Sequence, residues 1–477
     1  MGVVFIPVYI ALLGIESYGL IGLFASLQAF YFILDMGLSA TLNRELARYA
    51  DSDVPPDQRR DLVRTLECVY WPIGLLIAGA TWALSSPVAT HWLQPVALTQ
   101  ARTSHAIALI GLSIAMQWPC SLYAGGFRGL ERQVTLNAIT AVFVTLRSAG
   151  VIPILYFLSP TIEMFFLWQV GVGAAQTATM AALFWRILPP GERTPAFRWE
   201  RLTGIAHFSA GMAGISVLSF FLAYADRIVL SKVLPLDQFG YYTLAAAASA
   251  ALAPVVQSFF NAIYPRFSNL AAVADRNAIS WLYHTSTQLL TVMIASIAAI
   301  VALFSHEILL LWSGDPLLVA NSGPILSLLI VGVALNGLAT LPYALQLAHG
   351  WTRLSLFQNA IALTLMLPLT WWLANQFGGR GAATAGILLN LSFVLITVPL
   401  MHRRLLRGEL RSWYLGDILP PALAAVSVAL VARLALPNIP EGGNGVAILA
   451  SISAATLLAA AACSPAARRL ARRKLLG

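Results

Sequence analysis

The chain has 477 residues, of which 58% are hydrophobic and only 10% charged, whereas soluble domains carry about a quarter charged residues. That composition excludes a soluble enzyme and points to an all-α polytopic membrane protein. The net charge of +9 does not call for nucleic acid as a partner, because the basic residues sit in loops between apolar runs, as the positive-inside rule describes.

Val3 to Leu13 is an apolar run of eleven residues, about 16 Å of helix and half a bilayer crossing. It predicts a shortened first helix. It has neither the basic n-region nor the small-residue cleavage motif of a signal peptide. Further spans are predicted at about 19–42, 66–86, 104–126, 134–158, 161–185, 205–234, 239–263, 285–311, 319–347, 354–376, 382–401, 417–436 and 446–463, about fourteen in all.

Loop charge alternates along this series. After even-numbered spans come basic clusters such as Arg44 and Arg48, Arg128 and Arg132, Arg266 and Arg276, Arg403, Arg404, Arg407 and Arg411, and Arg468, Arg469, Arg472 and Arg473. After odd-numbered spans come Glu16, Glu163, Asp237, Glu307, Asp315 and Glu441, with few cations. The alternation places both termini in the cytoplasm.

Leu13 to Leu20 aligns with Leu234 to Tyr241, pairing Glu16 with Asp237, Tyr18 with Phe239 and Gly19 with Gly240. Internal repeats of this kind build many transporters. The repeat predicts an N-terminal six-helix bundle over 1–203, a C-terminal six-helix bundle over 204–408, and a peripheral helix pair with a basic cytoplasmic tail over 409–477. Arg186 to Glu200, with Pro189, Pro190, Gly191 and Pro195, reads as the linker.

No G-x-x-x-x-G-K-[ST] loop and no H-E-x-x-H occurs. Cys68, Cys120 and Cys463 lack metal-ligand spacing, so neither cofactor nor metal is expected. Gly378-Gly379-Arg380-Gly381 reads as a tight helix connection. A transporter is expected, not an enzyme.

Charge inside a span is expensive and marks function or buried pairing. Arg147 lies near the middle of its span, too deep for easy snorkelling, and is either a pathway cation for an anionic group or one half of a structural pair. Asp226 and Arg227 are adjacent and point about 100° apart on a helix, so they do not pair locally. Arg227 is a candidate substrate contact, and Asp226 an ion-coupling site. Asp35, before the helix-loosening Gly37, is a second coupling candidate. Arg44, Arg266 and Arg353 stand at cytoplasmic helix mouths, suited to a diphosphate or explained by topology alone. His207, His284 and His349 read as interfacial residues. Asn336, Gln346, Asn359 and Asn390 read as interhelical glue.

Tyr18-Gly19-Leu20, Leu34-Asp35-Met36-Gly37-Leu38, Arg44-Glu45-Leu46-Ala47, Ala225-Asp226-Arg227, Tyr264-Pro265-Arg266, Leu311-Trp312-Ser313-Gly314 and Leu341-Pro342-Tyr343-Ala344, in this order, resemble bacterial polysaccharide repeat-unit flippases of the multidrug/oligosaccharidyl-lipid/polysaccharide exporter superfamily. The resemblance runs from about Leu13 to Arg404. It implies two six-helix bundles in a V, a cationic lumen fitting Arg147, Asp226 and Arg227, and ion coupling by proton or sodium without ATP. It further implies transfer of an undecaprenyl-diphosphate-linked oligosaccharide across the bacterial inner membrane for O-antigen, capsule or exopolysaccharide, beside a polymerase and a chain-length regulator. The alternatives are a multidrug/cation antiporter of the same superfamily, a lipid-linked peptidoglycan precursor flippase, and a polymerase or ligase.

Overall fold

A computed structural model describes residues 2–33, 35, 37–50, 55–200, 218, 220–440 and 442–476, and among them there is no strand. Nine helical stretches among the described residues are long and apolar enough to cross a membrane. The protein is thus a multi-pass, all-α membrane protein. The chain forms two compact units, Met1–Gly240 and Tyr241–Gly477. The predicted start of the second bundle near 205, His207 and Glu441 lie outside the described residues.

The first unit contains α1 (Ile6–Leu13), α2 (Ile15–Ile33), α3 (Leu38–Ala50), α4 (Pro56–Pro87), α5 (Gln100–Gln117), α6 (Cys120–Gly129), α7 (Gln133–Ser148), α8 (Val151–Phe157) and α9 (Ile162–Ile187). A helix over 220–233, α10, follows, and the division falls inside α11 (Leu236–Ser249). The predicted span 19–42 is corrected. The helix ends at Ile33 and restarts at Leu38, because Gly37 takes φ 75°, a left-handed conformation that glycine adopts without a Cβ clash. Residue 14 breaks α1 from α2 in the same way, with φ 84°.

Small residues let these helices touch. A Cβ on Gly125 would lie 2.3 Å from the Ser39 carbonyl oxygen, and one on Gly129 would lie 2.6 Å from that of Asn43. Gly125-x-x-x-Gly129 therefore presses α6 against the backbone of α3, the close approach that small-xxx-small motifs allow in lipid. The repeat-related glycines behave alike: Gly19 meets the Leu236 carbonyl and Gly240 meets that of Ile15. Glu16 opens α2 and accepts the backbone N–H groups of Val96, Ala97 and Leu98 at 2.6, 2.7 and 3.1 Å. The linker over 188–198 is held on α4 by Asp61, which accepts from Arg193 at 2.6 Å and from the Ala196 N–H at 2.8 Å.

The second unit holds α12 (Ala253–Ala272), α13 (Arg276–Leu303), α14 (Ser305–Ser313), α15 (Pro316–Ala348), α16 (Thr352–Ser392) and α17 (Val398–Leu405), then α18 (Leu410–Ala435), α19 (Gly443–Cys463) and α20 (Pro465–Leu476). The predicted span 285–311 is corrected to two helices, α13 and α14, separated at Phe304. Inside α16 the chain folds at Gly378, whose φ is 59°, into the two arms that the glycine run predicts. Met366 and Leu373 on the first arm pack with Ala385 on the second. Gly381 makes that return possible, since a Cβ there would sit 2.0 Å from the Leu373 carbonyl oxygen. Val292, Ala299 and Ile300 of α13 pack against Ala425 and Ala429 of α18 and Leu449 and Ile452 of α19.

Candidate functional site

The first unit encloses a cavity of about 370 Å³ between α2, α3, α5, α6, α7 and α9. Arg147 lies in its wall, and Leu136, Thr140 and Arg147 share one face of α7 because they are four and seven residues apart. Just beyond Arg147 the chain bends at Ala149 and Gly150 before Pro153. The carbonyls of this last turn then accept side-chain donors, as helix ends require. Trp168 donates to Leu146 at 3.0 Å, Gln169 to Arg147 at 3.4 Å, and Tyr9 to Ser148 at 2.5 Å.

The guanidinium itself donates through Nη2 to Gln176 Oε1 at 2.6 Å. None of the ion pairs among the described residues includes Arg147. Its Nε and the Nε1 of Trp118 are buried without a hydrogen-bond partner among the described residues. Arg128 supplies a second cation, and no carboxylate lines the cavity. Across the cavity, Gln28 Nε2 donates to Gln117 Oε1 at 2.9 Å, and Gln117 Nε2 donates to Ser113 Oγ at 2.9 Å. These three glutamines are absent from the sequence-based candidates. Their signal was a carboxamide inside an apolar span, the same signal that picked out Asn336 and Asn390, which instead bond each other at 2.9 Å.

Asp35 stands one layer behind. Its carboxylate accepts from the Tyr70 hydroxyl, from Ser39 Oγ at 2.6 Å and Ser39 N at 3.4 Å, and from Ser121 Oγ at 3.2 Å. Ser39 and Ser121 line the cavity, so the acid touches it only through hydroxyls. A carboxylate inside the break between α2 and α3 caps α3 and joins α3, α4 and α6.

Arg227 lies elsewhere. It lines a cavity of about 340 Å³ walled by Phe30, Tyr31, Trp92, Phe220, Phe221 and Phe239, and its guanidinium stands 5.3 Å from the Tyr224 ring centroid, within cation–π range. Asp226, its neighbour on α10, is half-buried and does not line that cavity. Arg44 pairs with Glu45 at 2.9 Å on α3. Arg266 on α12 and Arg353 in the first turn of α16 are exposed. None of these three lines either cavity. A third cavity, about 330 Å³, lies between the first arm of α16 and the stretch 388–400 and is mostly apolar, lined by Phe357, Ile361, Leu365, Leu388, Ile396 and Leu400. No group of three or more His, Cys, Asp or Glu side chains suited to a metal occurs among the described residues.

Residues 1–271 match the family described as polysaccharide biosynthesis protein. The chain belongs to that family. Among curated proteins, it is 21% identical over 372 residues to a Shigella flexneri protein named as a candidate O-antigen transporter, covering 78% of this chain and 86% of that protein. Among solved structures, this member of the family is similar to the lipid II flippase MurJ in an inward closed conformation, with TM-score 0.73 and 13% identity over 100% of this chain and 97% of that one. It is also similar to an inward-facing multidrug resistance MATE transporter of the MOP superfamily, with TM-score 0.68 and 12% identity over 83% and 94% of the two chains. The family member therefore carries the fold of these transporters.

Proposed function

We propose that the protein is a flippase that moves an undecaprenyl-diphosphate-linked oligosaccharide repeat unit from the inner to the outer leaflet of the bacterial cytoplasmic membrane. It works by alternating access, with both termini in the cytoplasm, and serves O-antigen, capsule or exopolysaccharide synthesis beside a polymerase and a chain-length regulator. The observation that carries this reading is the acid-free cavity around Arg147 in a polysaccharide biosynthesis protein. The Shigella flexneri relative named as a candidate O-antigen transporter and the likeness to the MurJ fold support it.

A guanidinium matches phosphate oxygens with two parallel N–H bonds. Arg147 Nε and Trp118 Nε1, both without acceptors, are donors that a diphosphate satisfies. Gln28, Gln117 and Gln176 offer amides to sugar hydroxyls, while the prenyl tail stays in lipid. Arg44, Arg266 and Arg353 draw the diphosphate from the inner leaflet. Asp35 and Asp226 are the coupling acids for proton or sodium. The protein moves its cargo and makes no bond. A drug-cation antiporter would place a carboxylate in the cavity, whereas Asp35 turns its oxygens to Tyr70, Ser39 and Ser121.

The test is the lipid extract of a depleted strain, read by mass spectrometry with surface polymer in parallel. One complete diphosphate-linked repeat unit should accumulate on the inner leaflet while surface polymer is lost. Accumulation of a peptidoglycan precursor instead would reassign the cargo, and an unchanged lipid pool would refute the flippase. Loss of one charge-assisted bond, about 1.5–3 kcal/mol, predicts that normally expressed Arg147→Ala lowers flux about tenfold or more.

A further inference from the structure

The second unit contains an ionisable cluster that no cavity above uses. His284 on α13 sets Nε2 against Glu409 Oε2 and Nδ1 against Asp417 Oδ2, two short contacts. Ser280 Oγ donates to the same Glu409 oxygen at 2.7 Å, and Gln288 Nε2 donates to Asp417 Oδ1 at 2.8 Å. Asp417 is only 2% exposed. Gln288 extends the cluster, since its Oε1 accepts the Ala466 N–H at 2.8 Å in the first turn of α20.

An ionised carboxylate only accepts hydrogen bonds, and a neutral imidazole has one N–H and one lone pair. With a carboxylate at each ring nitrogen, a neutral ring would set a nitrogen lone pair against an oxygen lone pair. The geometry therefore requires one more proton, carried on the ring as imidazolium or on a carboxyl group. We propose that His284, Asp417 and Glu409 form a proton-binding site that, when occupied, clasps the turn before α18 and the first turns of α18, and through Gln288 the start of α20, to α13.

Release of the proton to solvent takes the cluster from a net charge of −1 to −2 and replaces one hydrogen bond with a repulsive contact, so the clasp loosens as pH rises. No lysine or arginine forms an ion pair with Glu409 or Asp417 among the described residues. The other titratable groups near the ring do not take its place. Tyr283 meets it edge-on at 5.6 Å, Tyr414 donates to the Val394 carbonyl at 2.6 Å, and His402 donates through Nδ1 to the Val398 carbonyl at 2.9 Å. Glu409 lies outside the spans. Burial works to raise its pKa, but the hydrogen bonds from Ser280 and His284 outweigh burial and hold the carboxyl below its usual 4.5. A depressed carboxyl contributes stability above its unfolded value and loses it as pH falls through the folded value. The clasp accordingly has an acid limb as well as an alkaline one. This inference is independent of the cargo.

The experiment is hydrogen exchange by mass spectrometry on the full-length protein in nanodiscs across pH 5 to 9, corrected for intrinsic exchange. Protection over 406–418 and at the start of α20 should fall about tenfold towards high pH, the worth of one charge-assisted hydrogen bond. His284→Gln should show low protection without that transition. Glu409→Gln, whose side chain is 32% exposed and tolerant of substitution, should move the transition down by about one pH unit by removing one carboxylate. The same transition in wild type and His284→Gln overturns the proposal. Should His284→Gln not fold, an unmoved transition in Glu409→Gln overturns it equally.

Discussion

Arg147 and Gln176 form the smallest unit of the proposed cargo site. Gln176 Oε1 holds one edge of the guanidinium at 2.6 Å, and the bond fixes which donors remain for a ligand. Gln176→Leu keeps the volume and removes that acceptor. It should cut flux several-fold and also lower the thermal midpoint, since it leaves a charged donor unpaired, as surface-polymer assay and a detergent melt would record. Gln176→Glu should be worse than leucine for an anionic cargo, because it converts a neutral hydrogen bond to the guanidinium into an ion pair. Asp35 is different in kind. Three side-chain donors and a backbone N–H converge on it, and a buried donor left unpaired costs about 1–3 kcal/mol. Asp35→Ala should therefore lower the thermal midpoint measurably, whereas Asp35→Asn should keep most of it. If Asp35 also couples an ion, Asp35→Asn folds yet loses driven transport.

At the scale of elements, glycine positions decide which helices meet. Gly125 and Gly129 bring α6 onto the backbone of α3, which is what places Ser121 beside Asp35. Gly129→Leu would force the helices apart, and overpacking of this kind costs about 1–3 kcal/mol or more. Its midpoint and its transport should fall together. Gly378→Ala should also be costly, about 1–3 kcal/mol, since φ 59° with ψ −139° is a conformation essentially reserved for glycine. The break at Gly378 was legible in sequence, because a glycine run speaks through local backbone freedom, whereas Gly37 was noted only as helix-loosening and its break was missed. The correction at 19–42 arose because hydropathy continues across Asp35 while the backbone does not.

For the whole molecule, the charge alternation predicts orientation. In a background lacking Cys68, Cys120 and Cys463, a cysteine at Asp315 should react with an impermeant maleimide from outside. One at Arg407 should react only after permeabilisation. The reverse pattern would overturn the cytoplasmic termini. Arg147 and Arg227 line different cavities, so losses from Arg147→Ala and Arg227→Ala should multiply in the double variant, as independent sites do.

Membrane class, helical content and the return at Gly378 followed from the sequence, because transfer free energy and backbone freedom are summed along the chain, residue by residue, whereas the breaks within 19–42 and 285–311 did not. Which charges meet was decided only in three dimensions. His284 read as an interfacial residue, yet it is clasped by Glu409 and Asp417, 125 and 133 positions away. Arg147 read first as a pathway cation and second as half of a structural pair, and its partner proved to be an amide on another helix. Such pairings depend on the register of packed helices, which no local term encodes.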